Sequence, residues 1–508
     1  MFMQVKTAVE DIQNYLTDAS NMQGGFASKL FIPESISELT EILREANAGD
    51  MPITVSGART GTVGGAVPFG GYVISMERLN KIKSIDRETM TATVEPGVIL
   101  GDFQKAVHGE GLFYPPDPTE WSCQIGGTVA TNASGSRSFK YGATREYVRA
   151  LTVVLADGDV VRVRRGENPS TDGSFTLKSE SGREISFRLP TYPRPNVRKN
   201  VSGYFNREAM DSVDLFAGSE GTLGVIADIE LSLLLKPKGF FSGVVFFAGV
   251  MDLLSFVDEV KASSLENSIE GIAPSAAEKQ PLRKEGSVAR IDATLIEYFD
   301  DRALKFISGT FPEVPSGMAG AIFFEQETTA ETEDAIFEVW NELLEKHGAA
   351  VDRSWFATNE QDREKMRAFR HALPVSVNEF IARHNQRKVG TDMAVPDEKF
   401  PAFLRFYKSI LEESGLDYVI FGHIGDCHLH ANVLPKNDEE AEKARHIYGR
   451  CIAQALMLGG CVSAEHGIGK LKAKYLNVMM GERYINEMRD LKAAFDPKGI
   501  LGVGNMFS

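Results

Sequence analysis

The chain has 508 residues, which is too long for a single hydrophobic core and predicts two or three domains. Its formal net charge of -15 argues against nucleic acid as the main partner. No apolar run approaches the roughly 20 residues of a transmembrane helix, no signal-peptide pattern is present at the start, and the 4 cysteines form no C-x-x-C pair. The expected location is the reducing cytoplasm, with peripheral attachment to a membrane as the alternative.

A glycine-rich loop between two predicted strands is the first element that bears on function. Ser35 to Glu38 is a capping-box pattern that begins a helix, and Ile53 to Val55 then begin a strand. The loop Ser56-Gly-Ala-Arg-Thr-Gly-Thr-Val-Gly-Gly-Ala-Val-Pro68 follows, and Tyr72 to Ser75 form the next predicted strand. Such a loop can direct several backbone N–H groups towards a pyrophosphate. It has neither a Rossmann nor a Walker pattern, so an ordinary surface loop is an equal alternative.

Two further glycine-rich segments favour nucleotide binding over an ordinary surface loop. The segment Pro115 to Gly135 contains Ile125-Gly-Gly-Thr-Val-Ala-Thr-Asn132, and the segment Phe216 to Ile226 contains Gly-Ser-Glu-Gly-Thr-Leu-Gly. Between them, Ala150 to Val163 alternates around an Asp-Gly pair, which predicts a hairpin. Three glycine-rich loops tied to β structure suit one long nucleotide lying across a sheet.

The middle of the chain predicts a second α+β unit. Strands are expected at Val244 to Ala248, Ala289 to Tyr298 and Gly320 to Gln326. They alternate with helical patterns at Leu253 to Ser263 and Glu333 to His347. We expect an antiparallel sheet with helices on one side.

Histidines cluster towards the end of the chain. Four of the 9 lie in two short segments, Phe421-Gly-His-Ile-Gly-Asp-Cys-His-Leu-His-Ala-Asn432 and Ser463-Ala-Glu-His-Gly-Ile-Gly469. Alternation along a strand places His428, His430 and Asn432 on one face. Glu465 and His466 arrive from a glycine-bracketed segment. Imidazoles and a carboxylate with open coordination positions suit a catalytic divalent metal, and a few satisfied histidines in a polar loop are the alternative.

Together these motifs resemble the vanillyl-alcohol-oxidase flavoprotein superfamily, in the branch of the D-lactate, D-2-hydroxyglutarate and glycolate dehydrogenases. The resemblance rests on the three glycine-rich loops, Asn200-Val-Ser-Gly-Tyr204, the two histidine segments and Phe495-Asp-Pro497. It implies an α+β fold with a two-part FAD-binding domain of the PCMH type over residues 1–236. A substrate or cap domain with an antiparallel sheet would cover 237–412. A C-terminal helical and metal-binding segment, 413–508, would return to the flavin.

The resemblance also assigns roles to the reacting groups. The metal ligands fall on His423, His430 and Glu465, with zinc the first choice of ion and manganese or iron the alternatives. The catalytic base falls on His466. Arg370 would grip the substrate carboxylate with its planar fork, and Asn432 would lie close to the substrate.

The cofactor positions come from the same resemblance. They are Ser56, Gly57, Ala58, Arg59, Thr60, Gly61, Ser122, Gly126, Gly127, Asn132, Ser134, Gly135, Gly142, Glu220, Gly221 and Ile226. Relatives with a covalent flavin carry a histidine in the first loop. Arg59 stands in that loop here and no histidine is present, so we expect FAD to be held non-covalently.

Three departures from the family pattern stand close to these positions. Relatives have Gly-Asp-Gly-Asn-x-His where this chain has Gly425-Asp-Cys-His-Leu-His430, which adds Cys427 and His428. His428 is open to three roles, as a fourth ligand, as a substrate contact or as a group behind the ligands. Relatives have Leu-Asn-Pro-Gly-Lys where this chain ends in Leu501-Gly-Val-Gly-Asn505, so a lysine is missing. Lys388 is offset from the lysine that relatives place near the substrate.

The predicted function is oxidation of a D-2-hydroxy acid, D-lactate-like or D-2-hydroxyglutarate-like, to the 2-oxo acid by hydride transfer to flavin N5. A quinone, a cytochrome or an electron-transfer flavoprotein would reoxidise the flavin, and the enzyme could act as a homodimer. One alternative is a family member acting on another hydroxy acid or alcohol. Another is a non-catalytic or electron-transfer flavoprotein subunit. A third is a metal-dependent hydrolase with purely structural glycine loops.

Overall fold

The computed structural model describes residues 4–267, 289–357 and 359–507, which form mixed sheets and helices. The strands are β1 Gln4–Lys6, β2 Lys29–Ile32, β3 Ile53–Ser56, β4 Tyr72–Ser75, β5 Ile82–Asp86, β6 Thr91–Val94, β7 Leu112–Phe113, β8 Val148–Val154, β9 Val160–Arg164, β10 Ser174–Lys178, β11 Glu184–Arg188, β12 Val225–Ser232, β13 Leu234–Leu235, β14 Gly239–Phe247, β15 Ala293–Asp300, β16 Gly320–Thr328, β17 Trp355–Phe356, β18 Val389–Gly390, β19 Tyr418–Gly422 and β20 His430–Val433. The helices are α1 Val9–Ile12, α2 Ile36–Ala48, α3 Leu100–Gly109, α4 Ile125–Thr131, α5 Ser138–Tyr141, α6 Ser212–Phe216, α7 Val250–Asn267, α8 Asp301–Ile307, α9 Glu333–Lys346, α10 Glu360–Arg383, α11 Phe400–Ser414, α12 Asp438–Met457 and α13 Ala473–Phe495.

The described residues of the first half form two larger sheets and the two-stranded sheets β10-β11 and β13-β7. One larger sheet has the order β1-β2-β4-β3, in which β4 pairs with β2 and β3 in parallel, and the other has the antiparallel order β5-β6-β12-β8-β9. The first glycine-rich loop leaves β3, and the third leads into β12, so both loops are anchored to the ends of strands. The predicted hairpin is confirmed, because β8 and β9 pair around the Asp157-Gly158 turn.

The helix α2 illustrates how the sequence sets these elements. Ser35 is its N-cap, since its hydroxyl accepts a hydrogen bond from the Glu38 backbone. The helix buries Leu39, Leu43 and Ala46 against the first sheet. The predicted helix start at Ser35 is confirmed, although the Glu38 carboxylate accepts the backbone N–H of Glu34 and not that of Ser35.

A seven-stranded antiparallel sheet forms the second half, in the order β17-β14-β16-β15-β19-β20-β18. The expectation of helices on one side was wrong. Val245 and Phe247 of β14 face α7 and α9, whereas Val244 and Phe246 face α8 and α10. Neighbouring residues of a strand point to opposite faces, so an unbroken apolar run requires both faces to be covered.

The C-terminal part of the chain joins both halves. Its strands β19 and β20 lie inside the seven-stranded sheet, next to β15. Its last residues return to the first half, where the Ile53 backbone donates to the Ile500 carbonyl at 2.7 Å. No helix of the described residues is long and apolar enough to span a membrane.

Candidate functional site

A tight turn between β19 and β20 brings three histidines together. His423 follows β19, His428 lies in the turn and His430 begins β20. Cys427 adopts a left-handed conformation with φ 53°, which reverses the chain. Its thiol contacts Lys261 Nζ at 3.0 Å, and burial raises the pKa of Cys427 to about 12. The thiol is therefore directed to α7 and is protonated at neutral pH.

The imidazoles converge on one oxygen of Glu465. His423 Nε2 lies 3.1 Å and His430 Nε2 lies 3.7 Å from Glu465 Oε2. One ligand atom from each of His423, His428, His430 and Glu465 falls within 4.8 Å of the others. Ligands that share one ion at bond lengths of about 2.0–2.2 Å lie at such separations. The donor set therefore fits a divalent cation.

The outer ring nitrogens of two of these histidines are held in place. His423 Nδ1 lies 2.5 Å from Glu297 Oε1 on β15. His430 Nδ1 lies 3.1 Å from the backbone carbonyl of Thr391. An acceptor at Nδ1 holds a proton on that nitrogen and directs Nε2 towards a metal.

A buried lysine and a serine of the second glycine-rich segment hold the other oxygen of Glu465. Lys199 Nζ lies 2.6 Å and Ser134 Oγ lies 2.9 Å from Glu465 Oε1. Burial opposes the ionisation of Glu465, but the charges of His423 and Lys199 outweigh it and hold its pKa well below the usual range. The carboxylate is thus ionised, and residues from the first half of the chain orient it.

Two buried carboxylates hold the segment that carries Glu465 and His466. Asp392 accepts both backbone N–H groups, each at 3.1 Å. Glu220 accepts the backbone N–H groups of Ile468 and Gly469 at 2.7 and 2.6 Å. The segment is therefore clamped between the seven-stranded sheet and the third glycine-rich loop.

His466 lies at the edge of the cluster and is partly exposed. Its ring stacks on that of His430 at a centroid distance of 5.2 Å, and its Nδ1 lies 3.6 Å from Asp392 Oδ2. Burial lowers the pKa of His466 to about 4. The imidazole is neutral at neutral pH and can accept a proton.

Glu297 links the cluster to Arg370 of α10. Its Oε2 lies 3.1 Å from Arg370 Nε, while its Oε1 contacts His423. Burial opposes ionisation of Glu297, but His423 and Arg370 outweigh it and lower its pKa to about 2. Asn432 is buried on β20, and its amide donates to the His430 carbonyl at 3.4 Å. Both predicted substrate contacts thus lie beside the cluster.

The glycine-rich loops leave room where the dinucleotide is expected. A β-carbon placed at Gly61, Gly127 or Gly221 would meet no protein atom within 4 Å among the described residues. By contrast, a β-carbon at Gly135 would lie 1.9 Å from the carbonyl of Asp117. The loops therefore offer backbone to an open concavity, which fits FAD.

Other predicted cofactor residues have contacts within the protein. Ser122 bonds to Glu120, and the Asn132 side chain accepts the Arg145 backbone N–H. Ile226 is buried in β12. The remaining positions lie in or beside the same loops: Ser56, Gly57, Ala58, Arg59, Thr60, Gly126 and Gly142. Their contact with a cofactor stays a prediction.

The sequence analysis did not identify several charged residues of the site. Glu297, Asp392 and Lys199 are buried and contact the cluster directly. For Glu297 and Asp392 the available signal was a lone charged residue within an apolar or small-residue stretch, whereas Lys199 stands between Arg198 and Asn200 and gave no such signal. Lys470 also brings its ammonium to 2.8 Å from Asn505 Oδ1, so a cation lies beside the position where the expected lysine is missing.

Comparison with protein families finds two matching domains. Residues 27–164 match the FAD binding domain, and residues 286–506 match the C-terminal domain of FAD linked oxidases. Among solved structures, p-cresol methylhydroxylase superposes with a TM-score of 0.69 at 16 % identity, covering 99 % of this chain and 93 % of that one. The 4-ethylphenol oxidase of Gulosibacter chungangensis gives 0.68 at 19 % identity, covering 99 % and 94 %. These likenesses confirm the predicted flavoprotein fold.

Curated relatives match along nearly the whole chain. The glycolate oxidase subunit GlcD of Bacillus subtilis (strain 168) is 30 % identical over 97 % of this chain and 92 % of its own length. A D-lactate dehydrogenase of Anaerostipes hadrus is 30 % identical, covering 93 % and 88 %. A D-2-hydroxyglutarate dehydrogenase of Xanthomonas citri pv. viticola is 30 % identical, covering 99 % and 94 %.

Proposed function

The chain belongs to the FAD-linked oxidases, and from this membership we propose that it oxidises a small 2-hydroxy acid with bound FAD and a divalent metal. One observation carries the proposal. Ser134, on a loop expected to hold FAD, donates to Glu465 of the histidine cluster at 2.9 Å. A redox cofactor and a metal would therefore meet at one place, where both could act on the same C–OH group.

Each member of the site has a part in the proposal. The metal would be held by His423, His430 and Glu465, and FAD by the three glycine-rich loops. When bound, FAD accepts the two electrons of the substrate C–H bond, and the metal draws electron density from the hydroxyl as a Lewis acid. His466 takes the hydroxyl proton, because its imidazole is neutral and lies beside the cluster.

Arg370 is proposed to bind the substrate carboxylate. Glu297 occupies only its Nε among the contacts of the described residues, which leaves the terminal guanidinium nitrogens for a second carboxylate. Asn432 would contact the substrate from β20. Held at two points, the substrate presents one face of its reacting carbon to the flavin, which accounts for selection of one enantiomer.

The relatives' names guide the choice of substrate class. They are D-lactate, D-2-hydroxyglutarate and glycolate enzymes, so the proposed substrate is D-lactate-like or D-2-hydroxyglutarate-like. A quinone, a cytochrome or an electron-transfer flavoprotein would take the electrons from the reduced flavin. FAD would be held non-covalently, so heat denaturation should release it into the supernatant.

The test is an anaerobic screen of D- and L-2-hydroxy acids for loss of the flavin absorbance, with metal analysis of the same sample. We expect a yellow protein, about one metal per chain, and bleaching by a D-enantiomer only. Bleaching that survives complete removal of the metal would contradict the metal's part. A flavin that no hydroxy acid bleaches would contradict the proposed reaction.

A further inference from the structure

The contacts of the His428 side chain within the protein do not explain why it is buried. Its side chain is fully buried, with 0 % exposure. Nε2 has an off-angle contact with the carboxylate of Asp392, whereas Nδ1 has no partner at hydrogen-bond distance among the residues that the structure describes. Buried polar groups are nearly always paired, so the unpaired Nδ1 indicates a missing partner.

The orientation of the ring indicates where that partner lies. His428 Nε2 faces Asp392 Oδ1 at 3.1 Å, and Nδ1 faces Glu465 Oε2 at 3.8 Å. The ring centroid lies 5.4 Å from that of His423 and 4.6 Å from that of His430. Thus Nδ1 is directed to the same oxygen as the Nε2 atoms of the two assigned ligands.

The three histidines share one pattern of outer partners. Glu297 lies behind His423, the Thr391 carbonyl lies behind His430, and Asp392 lies behind His428. In proteins, a histidine that binds a metal through one nitrogen usually presents the other to a carboxylate or carbonyl. His428 therefore follows the same pattern as His423 and His430, except that its Nδ1 faces the cluster and its Nε2 faces the outer partner.

We infer that His428 is a fourth protein ligand of the divalent cation, through Nδ1, and that Asp392 is a positioning residue that keeps its proton on Nε2. The inference rests on the metal of the proposed function. It adds a ligand to the three that the family resemblance assigns. Three imidazoles and one carboxylate favour zinc, iron(II) or manganese over magnesium and calcium, which prefer oxygen ligands.

Asp392 itself is unsuited to bind the ion. Although it lies near His430 and His466, its two oxygens are already engaged. Lys472 Nζ lies 2.5 Å and Ser463 Oγ lies 2.7 Å from its Oδ2, and two backbone N–H groups donate to it as well. Because Asp392 already accepts these hydrogen bonds and Lys472 balances its charge, it can orient an imidazole but has little capacity left to bind a metal.

The decisive measurement counts imidazoles on the metal in the unmodified holoenzyme. We would replace the native ion with cobalt(II) and record its X-ray absorption fine structure and ligand-field spectrum. Three imidazole rings are expected. Two rings would overturn the inference while leaving the proposed metal site intact, and failure to bind any divalent ion would overturn both.

Variants then identify the third ring. His428→Asn should keep FAD, lose one imidazole from the cobalt spectrum and weaken cobalt binding by at least about tenfold to a hundredfold. His446→Asn, at an exposed position on α12, is the matched control and should change neither. An unchanged cobalt spectrum in His428→Asn would overturn the assignment.

Asp392→Asn tests the positioning role. It should retain three imidazoles but weaken cobalt binding by about tenfold to a hundredfold and shift the ligand-field bands. A purely structural role predicts lower thermal stability with an unaltered cobalt spectrum in the folded fraction, and that result would remove Asp392 from the proposal.

Discussion

The glycine-rich loops and the histidine cluster differ in which part of the polypeptide they present, backbone in the first and side chains in the second. Around Gly127 the protein offers backbone and empty space, because a β-carbon there would meet nothing within 4 Å. Around Glu465 it offers side chains that are packed, charged and already directed at one point. A binding surface made of backbone is sensitive to added atoms, whereas one made of side chains is sensitive to removed atoms. We therefore expect added atoms to weaken binding at the loops, and removed atoms to weaken binding at the histidine cluster.

Removing a metal ligand should have the largest effect. In His430→Ala the cluster loses a neutral imidazole, since burial holds the pKa of His430 well below its ordinary value. We expect metal content and substrate oxidation to fall to the detection limit while FAD stays bound. Metal analysis and the flavin spectrum of the purified variant measure both. Full metal content with normal turnover would contradict the cluster as the metal site.

Removing the proposed base should have a smaller effect and leave the cluster intact. His466→Asn should slow flavin reduction by roughly 10²–10⁴-fold, as expected for loss of a general base. Metal content, FAD content and reoxidation by an acceptor should be close to the unmodified enzyme. Stopped-flow reduction of a metal-replete variant measures the step. Reduction at the unmodified rate would place the base elsewhere.

Sequence alone predicted these two regions unequally. The glycine loops and the motifs around His423 and Glu465 are local patterns, so residue type and spacing revealed them. Glu297 was missed because it becomes a partner of His423 only through the pairing of β15 with β19, in which Tyr298 lies opposite Gly422. Strand register between segments more than a hundred residues apart is set by the whole sheet, and no local pattern encodes it.

The covering of the seven-stranded sheet was mispredicted for a related reason. The run Val244 to Phe247 is apolar at every position, which already implies two buried faces. Which helices cover each face depends on the order of strands in the sheet. That order places C-terminal strands beside β15, and it brings the histidine turn next to residues of the first half of the chain.

Adding one methyl group tests the backbone half of the comparison. Gly127→Ala should leave the FAD-free protein as stable as before or slightly more so, because Gly127 lies in the helix α4 and its β-carbon has room. FAD should bind more weakly by about 1–3 kcal/mol, or roughly 5-fold to 150-fold. Titration of the FAD-free protein with FAD measures this change.

A second helical glycine serves as the control for that experiment. Gly449→Ala adds the same methyl group to α12, where a β-carbon also meets no protein atom within 4 Å among the described residues. Its affinity for FAD should be unchanged. Equal affinities in the two variants would mean that FAD does not approach Gly127.

The most gradual effect expected is a dependence of metal binding on pH. In the metal-free protein, burial opposes charging of His423, but Glu297 and Glu465 outweigh it and raise its pKa to about 9. Below that pH the ring carries two protons, and a metal must displace the one on Nε2. Affinity for the metal should therefore rise about tenfold per pH unit from pH 6 to 8 and level off above 9. His430 is already neutral and should release no proton.

Calorimetry in two buffers of different ionisation enthalpy counts the protons, and about one per metal is expected at pH 7. Glu297→Gln removes one of the two carboxylates that hold the proton, so its count at pH 7 should be smaller. A count of zero in the unmodified protein would mean that His423 is not protonated before the metal arrives.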